Sequence, residues 1–152
     1  MGNHRGVFLL PAICEEVWAG VNVPTCGLCY WRNSYFLKNY VFSKKITDTL
    51  YEKSYLDKKD KYSLFLDNNH PLIIVTNNDI ITDKEIIVLK DSFANSLVPF
   101  LVNHFKKVHI IDPRYYSLSI SAYLDENPKI KDGLILYNAN GIDKDLGILG
   151  IE

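Results

Sequence analysis

The sequence predicts an α/β protein built around a parallel sheet. Three observations carry this. Short β-branched runs recur between residues 72 and 137, segments of helical spacing separate them, and 152 residues are enough for one well-buried core. Leu72-Ile73-Ile74-Val75-Thr76 is a strand bounded by His70-Pro71 and Asn77-Asn78. Glu85-Ile86-Ile87-Val88-Leu89-Lys90 is a continuous apolar run of the kind buried on both faces. Phe93, Leu97, Phe100, Leu101, His104 and Phe105 recur at helical spacing and predict a helix from about Ser96 to Phe105, with Pro99 tolerated in its first turn. Val108 to Asp112 is the next strand, Ser117 to Glu126 a helix stopped by Asn127-Pro128, and Gly133 to Tyr137 the last strand. From Glu85 the order is β-α-β-α-β, which implies parallel pairing through right-handed crossovers.

Residues 1–70 are less periodic. Pro11 to Ala19 reads as a helix, Tyr40 to Phe42 and Leu50-Tyr51 as short strands, and Asp57 to Lys61 as a solvated turn or helix start. Residues 1–45 are poorly defined, and the whole of 1–152 is taken as a single α/β domain.

Composition excludes several classes. Hydrophobic residues make up 47% and charged residues 23%, which excludes wholesale disorder. A net charge of -1 offers no basic excess for nucleic acid or an anionic membrane surface. No apolar run approaches the roughly 18–20 residues that span a bilayer. The stretch Val7 to Cys14 is broken by Pro11, followed by Glu15 and Glu16, and lacks a basic leader and cleavage site, so it is not read as a signal peptide. Taken alone, the chain reads as soluble and not exported. Cys14, Cys26 and Cys29 are an odd number, against a complete disulfide framework. The Cys26-x-x-Cys29 pair lacks the strand-to-helix setting of a redox motif and a second pair for zinc, so small buried or loop thiols are expected and no metal or cofactor.

Open parallel sheets bind ligands beyond the carboxyl ends of their strands. The residues there are Asp91-Ser92, Asp112-Pro113-Arg114-Tyr115-Tyr116 and Asn138-Ala139-Asn140-Gly141. Ser92 follows a buried strand and opens a helix, where free N–H groups favour a developing oxyanion. Asp91 or Ser92 would equally well cap that helix. Asp112 and Arg114 read as an ion pair at the strand end, with contact to an anionic sugar the alternative for Arg114. Asn138 ends the last strand and reads as the cap of the turn to Gly141. As a base for Ser92, His70 is rather a turn residue, His104 a partly buried residue of the amphipathic helix, and His109 lies inside a strand.

Lys90-Asp91-Ser92-Phe93-Ala94-Asn95-Ser96, Pro99-Phe100-Leu101, Asp112-Pro113-Arg114-Tyr115-Tyr116 and Leu134-Ile135-Leu136-Tyr137-Asn138 resemble the C-terminal half of the DHHW protein family. Tyr51-Glu52-Lys53-Ser54 and Asp60-Lys61-Tyr62-Ser63 fit it upstream, and the resemblance runs from about Asp48 to Asn140. That family is SGNH-hydrolase-like and similar to the alginate O-acetylation proteins of bacteria. The resemblance implies a three-layer, flavodoxin-like parallel sheet, present here in part, and an acyl-ester hydrolase or O-acetyltransferase acting on cell-surface polysaccharide. Ser92 would be the nucleophile, and its N–H with Asn138 the oxyanion donors. Arg114, Tyr115 and Asn140 would meet substrate, and no cofactor is implied. Full-length relatives would be extracellular or held in the cell envelope.

By the same resemblance the base is the His of an Asp-x-His-Trp motif, which maps to His4. Gly2 stands where the Asp belongs and Arg5 where the Trp belongs. Loss of the carboxylate that orients a catalytic His costs about four orders of magnitude in rate in serine proteases. The expectation is therefore an impaired enzyme, N-terminally truncated, the C-terminal portion of a larger fold. The alternative is a non-catalytic member that binds glycan, through Tyr115 and Tyr116, or a partner.

Overall fold

A computed structural model describes residues 36–43 and 45–139. Six strands form one sheet: β1 (Phe36–Tyr40), β2 (Lys45–Thr47), β3 (Leu72–Asn77), β4 (Glu85–Lys90), β5 (Lys107–Ile111) and β6 (Ile130–Leu136), in the spatial order β2-β1-β3-β5-β4-β6. Two short α-helices lie wholly within the described residues, each following a strand: α1 (Val98–Leu101) and α2 (Ile120–Glu126).

The sheet is mixed, which corrects the expectation of a parallel one. Pairing is parallel between β4 and β5 and between β4 and β6, as the β-α-β-α-β order requires. β3 pairs antiparallel with β5, and β1 antiparallel with both β3 and β2. A run such as Leu72 to Val75 has the same apolar pattern in either direction, so sequence alone leaves its polarity open.

Strand alternation sends side chains to both faces. Ile73 and Val75 of β3, Ile86 and Val88 of β4, and Val108 and Ile110 of β5 pack on one face with Leu50, Leu66, Val98 and Val102. Leu72, Ile87, Leu89 and Ile111 pack on the other with Tyr116 and Ile120. Full burial of each aliphatic side chain contributes about 1.5–3 kcal/mol, so these two clusters dominate stability. α1 thus lies against the first face and α2 against the second.

The helices are shorter than their spacing predicts. Instead of Ser96 to Phe105 there is a 3-10 turn over Ser92–Ser96 and one α-turn, Val98–Leu101, because the chain must reverse and enter β5 at Lys107. Instead of Ser117 the second helix begins at Ile120, capped by Ser119, whose Oγ accepts the Ala122 N–H at 3.2 Å. Tyr40 to Phe42 is the end of β1 and a turn, and Leu50-Tyr51 contributes one bridge, Tyr51 to Phe65. β6 begins at Ile130, three residues before Gly133. No helix among the described residues is long and apolar enough to cross a membrane. The helix expected over Pro11 to Ala19, with His4, Asn140, Cys14, Cys26 and Cys29, lies outside the described residues.

Candidate active site

β4, β5 and β6 run parallel, so their carboxyl ends meet at one edge. Antiparallel β3 begins at that same edge, with Leu72 opposite Ile111. Four loops therefore converge there: 69–71, 90–92, 112–116 and 136–139.

Ser92 is the first residue of the 3-10 turn that leaves β4, and it is half-buried. Asp91 is the cap: its Oδ1 accepts the Phe93 N–H at 3.0 Å, and its backbone carbonyl accepts the Ala94 N–H at 3.3 Å. The Ser92 N–H has no acceptor among the described residues. Five residues of 3-10 turn and four of α-helix make a weak macrodipole, so one free N–H, not a long helix, is what this turn offers an anion. The Asn138 backbone N–H is donated to Asp91 Oδ2 at 2.8 Å, which brings the end of β6 beside the Ser92 turn.

Beneath the turn lies a buried charge cluster. Lys90 and Asp112 are both 0% exposed, with Nζ 3.5 Å from Oδ2. Arg114 grips the same carboxylate through Nε at 2.8 Å and a terminal guanidinium nitrogen at 2.6 Å. This bidentate pair holds the Arg114 pKa above its ordinary value, and it answers the sequence reading of an ion pair at the strand end. Desolvation pushes the Lys90 ammonium down to about 8, against a smaller upward pull from Asp112. Lys90 Nζ also donates to Asn69 Oδ1 at 3.2 Å, and Asn95 Nδ2 donates to the same oxygen at 3.2 Å.

Asn69, Lys90 and Asn95 are the residues of this edge that sequence reasoning missed. Asn69 is delivered by three successive left-handed residues, Leu66, Asp67 and Asn68, with φ of 62°, 59° and 73°. Such backbone costs of order 1 kcal/mol or more per residue and persists only where surroundings impose it. Here the Leu66 N–H is donated to the Leu50 carbonyl at 3.0 Å, the Asn68 N–H to the Ser63 carbonyl at 3.0 Å, and Lys45 Nζ to Asp67 Oδ2 at 2.7 Å. The run Asp67-Asn68-Asn69, residues that tolerate this conformation, was the available signal.

The remaining expected residues divide. Tyr115 is exposed, with the Arg114 guanidinium 5.4 Å from its ring centre. Tyr116 is 8% exposed and packs edge-on against Phe42 and Tyr123, so it belongs to the core and not to a glycan surface. His104 is exposed, not partly buried. His70 is a turn residue whose Nε2–H is donated to the Asp67 carbonyl at 2.7 Å. His109 is buried within β5 between Tyr123 Oη at 2.7 Å and Glu85 Oε2 at 3.0 Å, on the face that carries α2. None of the three hydrogen-bonds to Ser92 in this structure.

A half-buried serine at the carboxyl edge of a mixed α/β sheet, opening a turn with an unused N–H, defines the class of fold and candidate site. A family model described as DHHW protein matches residues 32–111, more than half of the chain and including Ser92, so the chain belongs to the DHHW family. A solved DHHW family protein from Eubacterium siraeum is similar, with a TM-score of 0.62 and 18% identity, covering 79% of this chain and 41% of that one. PatB1 of Bacillus cereus is similar at TM-score 0.57 and 25% identity, covering 72% of this chain and 37% of its own. The same protein solved with a sulfonyl adduct gives the same TM-score and identity, with 38% of its length covered. The chain thus spans about two fifths of the length of these solved structures. No curated protein matches it.

Proposed function

We propose that this chain carries the nucleophile of an SGNH-like acyl-ester hydrolase or O-acetyltransferase whose acceptor is a cell-surface polysaccharide. The observation that carries the reading is Ser92 at the carboxyl end of β4, with its own N–H unclaimed among the described residues. A sulfonyl adduct, as on the similar PatB1, is what an activated nucleophile forms with a sulfonylating reagent, and this supports acyl chemistry in the fold. In the proposed reaction Ser92 Oγ attacks the acyl carbon and gives its proton to a base. The oxyanion is held by the Ser92 N–H and Asn138, and the alkoxide leaves with the proton from the base. Water or a sugar hydroxyl then attacks the acyl-Ser92 ester and gives its proton to the base, the acyl–Oγ bond breaks, and the proton returns to Ser92 Oγ.

His4 is the base that the motif register assigns. With Gly2 in place of its carboxylate partner, the proposal includes impaired turnover in this chain. Arg114 and Tyr115, on the loop after β5, would meet the substrate in this reading, and Asn140 would join them. The test is hydrolysis of p-nitrophenyl acetate by the protein, by Ser92→Ala and by Gly2→Asp. Turnover lost in Ser92→Ala and raised in Gly2→Asp is expected; equal turnover in the parent and Ser92→Ala would refute the esterase reading.

The second reading is a non-catalytic, glycan-binding or partner-binding member. It is favoured by the engagement of His70 and His109 in contacts away from Ser92. Glycan binding that survives Ser92→Ala, without turnover in any variant, distinguishes it.

A further inference from the structure

We propose that Asp91 is a positioning residue that locks the Ser92 turn to the loop carrying Asn138, an inference that rests on the esterase reading above. Asp91 is 6% exposed, and each of its carboxylate oxygens has a separate partner. Oδ1 accepts the Phe93 N–H at 3.0 Å within the nucleophile's own turn. Oδ2 accepts the Asn138 N–H at 2.8 Å, from a residue 47 positions further along the chain. The Asp91 N–H is in turn donated to the Leu136 carbonyl at 3.3 Å.

Capping alone does not require this residue type. A Ser or Asn at the cap satisfies one N–H as well as Asp does. Only a carboxylate offers acceptor oxygens on both sides, so only Asp at this position serves two loops at once. The two candidate oxyanion donors, the Ser92 N–H and the Asn138 side chain, sit on those two loops. Their separation is set through one rigid carboxylate, and small errors in such a separation are expensive in rate.

Asp91→Asn separates the two duties. Its Oδ1 still caps the turn, while its amide NH2 faces the Asn138 N–H, donor against donor. Amide exchange is read at Asn138, with Val88 and Ile110 as core controls, and turnover of p-nitrophenyl acetate is read alongside Ser92→Ala. The expected result is exchange at Asn138 at least about tenfold faster with the core unchanged, and kcat reduced by at least about tenfold with KM nearly constant. Asp91→Ser, which keeps the cap and removes the second acceptor, gives the same readings if Asp91→Asn fails to fold. Unchanged exchange at Asn138 would overturn the lock. Faster exchange with parental kcat, in a protein that Ser92→Ala silences, would overturn the positioning role and leave the esterase reading standing. Parental turnover in Ser92→Ala would sink that reading, and the positioning role with it, whatever the exchange at Asn138 shows.

Discussion

Lys90→Met should leave the protein as stable at neutral pH or more so, although it removes a buried ion pair. Lys90 is 0% exposed, and its ammonium is held near 8 against an ordinary 10.5 even with Asp112 3.5 Å away. The folded state therefore disfavours the charged form by about 3 kcal/mol at pH 7. Between pH 8 and 10.5 the unfolded chain keeps a proton that the folded chain has released, so this group makes stability rise with pH across that window.

Methionine fills a similar volume without the charge. Asp112 is not stranded by the change, because Arg114 still grips both its oxygens. Asn69 Oδ1 keeps its bond from Asn95, and the lost bond from Lys90 costs about 1 kcal/mol. The net expectation at pH 7 is a change between zero and about 2 kcal/mol in favour of the variant. Urea unfolding at pH 7 and pH 10 measures it. The parent should gain about 2 kcal/mol more than the variant between those two pH values. A variant less stable than the parent by 2 kcal/mol or more at pH 7, or an equal pH response in both, would refute the reasoning.

Two further outcomes follow from the same contacts. Asp112→Ala removes the partner of both Lys90 and Arg114 and leaves a fully buried ammonium, so a loss of about 3–5 kcal/mol is expected in urea unfolding, and a smaller loss in the Lys90→Met background. Burial holds the His109 pKa below its ordinary 6.5, against the upward pull of Glu85, so below about pH 6.5 the unfolded chain binds the extra proton and stability falls; His109→Phe should show a shallower decline between pH 7 and 5, and nitrogen NMR should find the folded imidazole carrying its proton on Nε2, donated to Glu85.

The parts of this protein legible in its sequence are those written in local pattern. Ile86 to Leu89 is apolar without interruption because β4 lies between two neighbours with packing on both faces, and the bounds of β4, Glu85–Lys90, are those the sequence predicts. The strand–helix alternation after Glu85 correctly implied the parallel β5-β4-β6 unit and hence the edge where Ser92 stands. The helices are shorter than their spacing predicts because spacing marks apolar faces and not the point where a chain must turn back.

What tertiary structure alone decided depends on groups distant in sequence. The antiparallel entry of β3 places Asn69 at the same edge as Lys90, 21 positions away, and no periodicity records the direction of a strand. Lys90 ends β4 with a charge whose partners no local window names, and the fold supplies Asp112 and Asn69. Tyr116, expected at a ligand surface, is drawn inward by Phe42 and Tyr123. Asp91 read as a cap, and only the fold showed its second oxygen reaching Asn138. A local sequence window encodes which face of an element is apolar. Which polar groups meet at the end of that element is set by the path of the whole chain, and the candidate site is made of such meetings.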